Sequence, residues 1–162
     1  MKRLILYCLI AVSAALAVSG CGVAGKTSAE DALYAESVQK ALAGKDYTVA
    51  IQFMIPSVGA SRNVSNYSIK VNGDTFVSYL PYQGRAYNLP YGGGQGFDFT
   101  AEIDEYQDVV QKNGNHEITI RLHNDEDTFV YLLSVSPDGN AYLKVTSRNR
   151  ENISYSGQLD LH

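Results

Sequence analysis

The sequence predicts a mainly β domain: an antiparallel meander of eight or nine strands, closed as a half-barrel, a barrel or a two-layer sandwich, with one N-terminal amphipathic helix packed on it. Apolar residues recur at helical spacing once, between Ser28 and Gly44, and at every second position in most of the chain after Asp46. The alternating runs are parted by short turn sequences such as Asn72-Gly73 and Ser136-Pro137-Asp138-Gly139-Asn140. Short connections force antiparallel neighbours, and clean alternation leaves one face of the sheet wet.

The helix starts at Ser28, a natural N-cap, with Glu30 and Asp31 in the first turn where the backbone dipole favours negative charge. Leu33, Tyr34, Val38, Ala41 and Leu42 form its core-facing stripe, and Gly44 stops it. In the first strand Tyr47, Val49, Ile51, Phe53 and Ile55 face the core, opposite Thr48, Ala50, Gln52 and Met54, until Pro56 ends the run. Ser57 to Val64 reads as loop, and Tyr67, Ile69 and Val71 as the second strand. A type I′ turn at Asn72-Gly73 returns the chain through Thr75 to Leu80.

Beyond a Tyr/Gly-rich loop, Phe97, Phe99, Ala101 and Ile103 face inward, and Tyr106 to Gln111 forms a further strand. Ile118, Ile120 and Leu122 alternate with Glu117, Thr119, Arg121 and His123, followed by an acidic turn at Asn124 to Asp127. Thr128 to Val135 is apolar on both faces, which predicts a central strand covered on its outer side by the helix. Ala141, Leu143 and Val145 line the next strand, and Ile153, Tyr155, Gly157, Leu159 and Leu161 the last. No internal repeat or domain linker interrupts this pattern.

Ahead of the domain, Lys2 and Arg3 precede the apolar run Leu4 to Val18. This is the layout of a secretory leader, and it is shorter than the roughly 20 residues of a membrane span. The run ends in Val18-Ser19-Gly20-Cys21, which resembles a bacterial lipobox. That resemblance implies cleavage before Cys21, palmitate-type diacylation of its thiol and stable anchoring in a membrane. The chain then divides into a leader at 1–20, the lipidated cysteine and a short tether at 21–27, and one domain at 28–162. The alternative is an ordinary secretory peptide cut near Ser19 or Gly20, with Cys21 a free thiol. Cys8 leaves with the leader on either reading, so no internal disulfide is expected.

Loss of the leader lowers the basic residues from 13 to 11 against 17 acidic ones, a net charge of −6. An acidic domain without a Lys/Arg cluster does not suit nucleic acid. His116 and His123 stand at an odd separation on one strand and so point to opposite faces, and no metal or other cofactor is expected. The runs Glu102 to Glu105 and Asp125 to Asp127 lack calcium-loop spacing and read as solvated edges. Gly92-Gly93-Gly94-Gln95-Gly96 leads into a strand without the lysine and helix that a phosphate loop requires.

The one idiosyncratic stretch is YLPYQGRAYNLPYGGGQGFDF, Tyr79 to Phe99. Its aromatic content argues for order, and loops of this length in compact domains tend to be functional. Tyr82, Arg85, Tyr87 and Tyr91 are the candidate ligand-binding residues, offering flat apolar faces with polar tips and a planar cation. The competing expectation is that these tyrosines fold back to plug one end of the sheet while Arg85 pairs with an acid such as Asp98. Together with YLKVTSRNRENISYSGQL near the end, this stretch resembles the lipoprotein family catalogued as domain of unknown function 4251, chiefly of Bacteroidota envelopes.

That resemblance implies a lipoprotein leader, a short helix and a β-rich domain, and brings no activity or cofactor with it. It pairs the loop Leu80 to Gly96 with the segment Arg148 to Gly157, and places Ser147 to Arg150 near the loop. In such lipoproteins an acidic run after the cysteine accompanies surface export; Gly22 to Lys26 has none, so the outer membrane facing the periplasm is expected. The functional expectation is a non-enzymatic envelope lipoprotein that binds a glycan, peptide, small molecule or envelope partner through loop 80–96. The alternatives are a small hydrolase or glycan-processing enzyme and a structural scaffold.

Overall fold

The computed structural model describes residues 28–87 and 96–161. Cys21, the leader, the tether, Tyr91 and His162 lie outside the described residues. One helix, α1 (Ser28–Ala43), precedes eight strands: β1 (Asp46–Pro56), β2 (Arg62–Asn72), β3 (Thr75–Pro81), β4 (Gly96–Val110), β5 (His116–His123), β6 (Thr128–Val135), β7 (Asn140–Ser147) and β8 (Ile153–Asp160). Each strand pairs antiparallel with the next, and β8 returns to β1, so the meander closes into a barrel. Of the closures the alternation allows, the barrel is the one formed.

Eight strands form rather than nine because the two runs around Ile103 and Tyr106 are one long strand, bent by a register shift between Ile103 and Glu105. The bulge turns Tyr106 and Asp108 inward after Phe97, Phe99 and Ala101. A second shift, between Ile51 and Phe53, reverses the alternation of β1. Met54 is therefore buried (6% exposed) and Phe53 faces water (42%), the reverse of the sequence expectation. The β2–β3 turn also differs from expectation. Asn72 pairs with Thr75, and the central residues are Gly73 and Asp74, of which only Gly73 has a positive φ, 58°. A positive φ at the first central position alone is the pattern of a type II′ turn.

The interior is filled by side chains from every strand, among them Tyr47, Phe76, Tyr131, Leu133, Leu143 and Tyr155. Eight strands enclose just enough space for that. The helix does not cover β6, whose outward Leu132 remains exposed. Instead Val38 and Leu42 are buried against the barrel, and α1 closes the end that holds the β2–β3, β4–β5 and β6–β7 turns. Leu33, expected on the buried stripe, is exposed. Among the described residues no helix is long and apolar enough to cross a membrane.

The β1–β8 seam needs a glycine: a Cβ at Gly157 would stand 2.0 Å from the Ala50 carbonyl oxygen and 3.0 Å from Ile51 Cα. His116 and His123 do point to opposite faces. His116 is buried near α1 with its Nδ1 2.8 Å from Asp108, while His123 lies outside, 2.7 Å from Asp104.

Candidate functional site

The end of the barrel opposite α1 carries the turns at 57–61, 124–127 and 148–152, together with the segment 82–87 that follows β3 and the start of β4. The segment after β3 is held there by the β7–β8 turn, as the family resemblance implied. Ala86 forms an isolated antiparallel bridge with Arg150. Tyr87 donates its N–H to the Asn149 carbonyl at 2.7 Å; the Arg85 N–H donates to the Glu151 carboxylate at 3.1 Å, and the Glu151 N–H donates to the Arg85 carbonyl at 3.0 Å.

Tyr82 is half-buried and organises this corner. Its ring meets Phe97 edge-on at 5.2 Å between centres. Its hydroxyl donates to the Arg85 carbonyl at 2.7 Å, with the Glu151 carbonyl at 3.3 Å. The Arg150 guanidinium carbon lies 5.1 Å from both ring centres, Tyr82 and Phe97, and Nη1 donates to the Gly96 carbonyl at 3.2 Å. The cation thus clamps both ends of the β3–β4 connection against two aromatic faces.

Beneath this rim lies an aromatic floor. Phe129 stacks on Phe99 at 4.7 Å and meets Phe97 edge-on at 5.8 Å. Tyr131 donates to Ser78 Oγ at 3.0 Å, which donates to the Phe97 carbonyl at 2.9 Å; Tyr155 donates to the Pro81 carbonyl at 2.6 Å. Burial raises the phenol pKa values of Tyr131, Tyr155 and Tyr82, so all three remain protonated donors at neutral pH.

Above the floor a cleft of about 530 Å³ folds over the rim. It takes in inward positions such as Leu80, Phe97 and Phe129 and the outward positions Tyr79 and Asp98, which are cross-strand partners. Tyr67 packs beside Tyr79 with ring centres 5.0 Å apart and planes inclined by 31°. Asn124, Glu126 and Arg150 complete a polar wall.

Of the four candidates from sequence, Tyr82 lines this cleft. Arg85 and Tyr87 are exposed beside it, tied by backbone bonds, and Tyr91 lies outside the described residues. The expected Arg85–Asp98 pair does not form: no ion pair among the described residues involves Arg85. Tyr67, Tyr79, Asp98, Asn124 and Glu126 were missed as site residues. One signal was available: Tyr79 stands at an outward position of β3, where a large aromatic ring has no core to fill.

A protein-family model described as a domain of unknown function, DUF4251, matches residues 29–159. Among solved structures, the chain is similar to a DUF4251 family protein from Bacteroides eggerthii DSM 20697, with a TM-score of 0.66 and 18% identity over 82% of this chain and 91% of that one. At that identity the likeness is one of fold. No curated protein matches the chain.

Proposed function

This chain belongs to the DUF4251 family, and from that premise we propose that it is a non-enzymatic lipoprotein of the bacterial cell envelope whose barrel binds a ligand or an envelope partner at its open mouth. The observation that carries the reading is the cleft of about 530 Å³, lined by Tyr67, Tyr79 and Tyr82 together with Asn124, Glu126 and Arg150. Concave sites that combine aromatic walls with a few polar groups are the usual form of small-ligand sites. The buried hydroxyl bonds under the cleft support it by holding that floor in one geometry before anything binds.

The anchoring half of the proposal rests on Val18-Ser19-Gly20-Cys21. A lipidated Cys21, separated from α1 by the six residues 22–27, would hold the helix-closed end near the outer membrane, with the mouth turned toward the periplasm. Arg85 and Tyr87 would then form the outer lip of the cleft. Fatty-acid labelling and membrane fractionation of the wild type and Cys21→Ala test the anchor; an unlabelled wild-type chain would remove it.

Saturation-transfer NMR of the full chain against envelope-derived oligosaccharides, short peptides, muropeptides and fatty acids tests the binding site. A binder whose signal is lost in Tyr79→Ala or Asp98→Ala, with the circular dichroism spectrum unchanged, supports the reading. No binder in any class, or binders indifferent to both substitutions, would overturn it.

A further inference from the structure

We infer that the cleft is a carbohydrate subsite, with Tyr79 as the stacking plate and Asp98 as the neighbouring hydroxyl acceptor; this rests on the binding reading above. A sugar ring presents an apolar C–H face and a rim of hydroxyls, each able to donate and to accept. Its recognition therefore needs a flat aromatic surface beside planar polar groups of both kinds. The cleft supplies that combination.

Tyr79 is 46% exposed on the outer face of β3, propped by Tyr67 at 5.0 Å. Asp98 is its direct cross-strand partner on β4, so a carboxylate stands beside the plate at the distance of adjacent side chains. Among the described residues, the carboxylates of Asp98 and Glu126 accept no hydrogen bond, and the two bonds made by the Asn124 side chain use only Oδ1. Arg150, which packs on Tyr82 and donates through Nη1 to the Gly96 carbonyl, adds a guanidinium to the lining.

Other ligand classes fit less well. A lipid chain needs a deep apolar tunnel, and the barrel interior is packed with Phe76, Tyr131, Leu133 and Tyr155. An anion would meet two carboxylates against one guanidinium, and for a metal cation the described residues hold no group of three or more His, Cys, Asp or Glu side chains. A peptide added as an extra strand needs a free sheet edge, which the closed barrel lacks. A neutral polyhydroxyl ligand satisfies all of these groups together.

The test is isothermal titration of the full lipidated chain, in a sugar-free zwitterionic detergent, with chitotetraose, cellotetraose and maltotetraose. Saturable binding of at least one is expected, weakened about tenfold or more by Tyr79→Ala and by Asp98→Ala. Tyr79→Phe, which keeps the plate, should retain most of the affinity. Tyr142→Ala, which removes an exposed tyrosine on the outer face of β7, should leave it unchanged. No heat of binding with any of the sugars, or binding that survives both Tyr79→Ala and Asp98→Ala, overturns the inference. If a peptide or fatty acid binds instead and depends on Tyr79, the carbohydrate assignment falls while the binding cleft stands; if nothing binds, both fall.

Discussion

Truncating Tyr82 and Tyr87 separately distinguishes a tyrosine that builds the barrel mouth from one that merely stands on it. Tyr82 gives its ring to Phe97 and Arg150 and its hydroxyl to the Arg85 carbonyl. A fully buried aromatic cut to alanine costs roughly 3–5 kcal/mol, and Tyr82 is only half-buried, so Tyr82→Ala should cost about 2–3 kcal/mol. Tyr82→Phe keeps the ring contacts and loses the hydroxyl bond, for about 1 kcal/mol. Tyr87 is 64% exposed and held through its backbone, so Tyr87→Ala should stay within about 0.5 kcal/mol of the wild type. At about 3–4 °C per kcal/mol for a domain of this size, Tyr82→Ala should melt roughly 6–12 °C lower. Differential scanning calorimetry reads all three. Equal melting temperatures for Tyr82→Ala and Tyr87→Ala would refute the assignment of Tyr82 as the organising ring.

Gly157→Ala drives a methyl group into the Ala50 carbonyl at the seam, where only backbone can yield, and should cost about 3 kcal/mol or more in urea unfolding; a loss below about 1 kcal/mol would mean the seam adapts. Hydrogen bonds from Ser136 first, then from Asn140, hold the Asp138 carboxyl below its ordinary value of 3.8. Its stabilising contribution is therefore full above pH 3.8 and shrinks as pH falls through the lower folded value, so Asp138→Ala should approach wild-type stability in acid. A constant gap down to the acid limit would contradict this. The bond to Asp104, reinforced by its charge, raises the His123 pKa above 6.5, so this pair's contribution is present below pH 6.5 and lost as pH rises through the folded value. NMR titration should show the His123 midpoint falling toward 6.5 in Asp104→Asn, and an unmoved midpoint would remove the pair from the account.

Local chemistry made the elements legible, because alternation and turn residues act over a few positions. The helix ended where Gly44 stood, β5 and β7 kept their predicted faces, and the two histidines fell on opposite sides of the sheet. What escaped was set by contacts between strands. Nothing in Ile51-Gln52-Phe53 announces a bulge, since the extra residue is defined by its partners on β2 and β8. The outer face of β6 looked buried because Val130 and Leu132 are apolar, yet a closed barrel turns that face outward and its helix lies across the end. In the site, the conspicuous loop drew attention to Tyr82 and Arg85, whereas the cleft also draws on two neighbouring turns and an outward tyrosine of a regular strand. Sequence adjacency could not show that Arg150, rather than Arg85, lies against the aromatic rings.

The seam at Gly157 also bears on how the chain reaches its folded state. Seven of the eight strand pairings join neighbours in sequence and can form hairpin by hairpin, whereas Ile51 must find Gly157 across nearly the whole domain. Loop closure over that distance comes late and limits the rate. Until it happens, β1 and β8 each present an unpaired edge, the surface on which extended chains aggregate or exchange strands. A chain arrested before Ile153 would keep most of its hydrophobic pattern and still be a template for a second copy, whose β8 has the right residues to fill the vacancy. The final eight-residue strand is thus a kinetic checkpoint, and damage there should show itself as domain-swapped oligomers before it shows itself as a lower melting temperature.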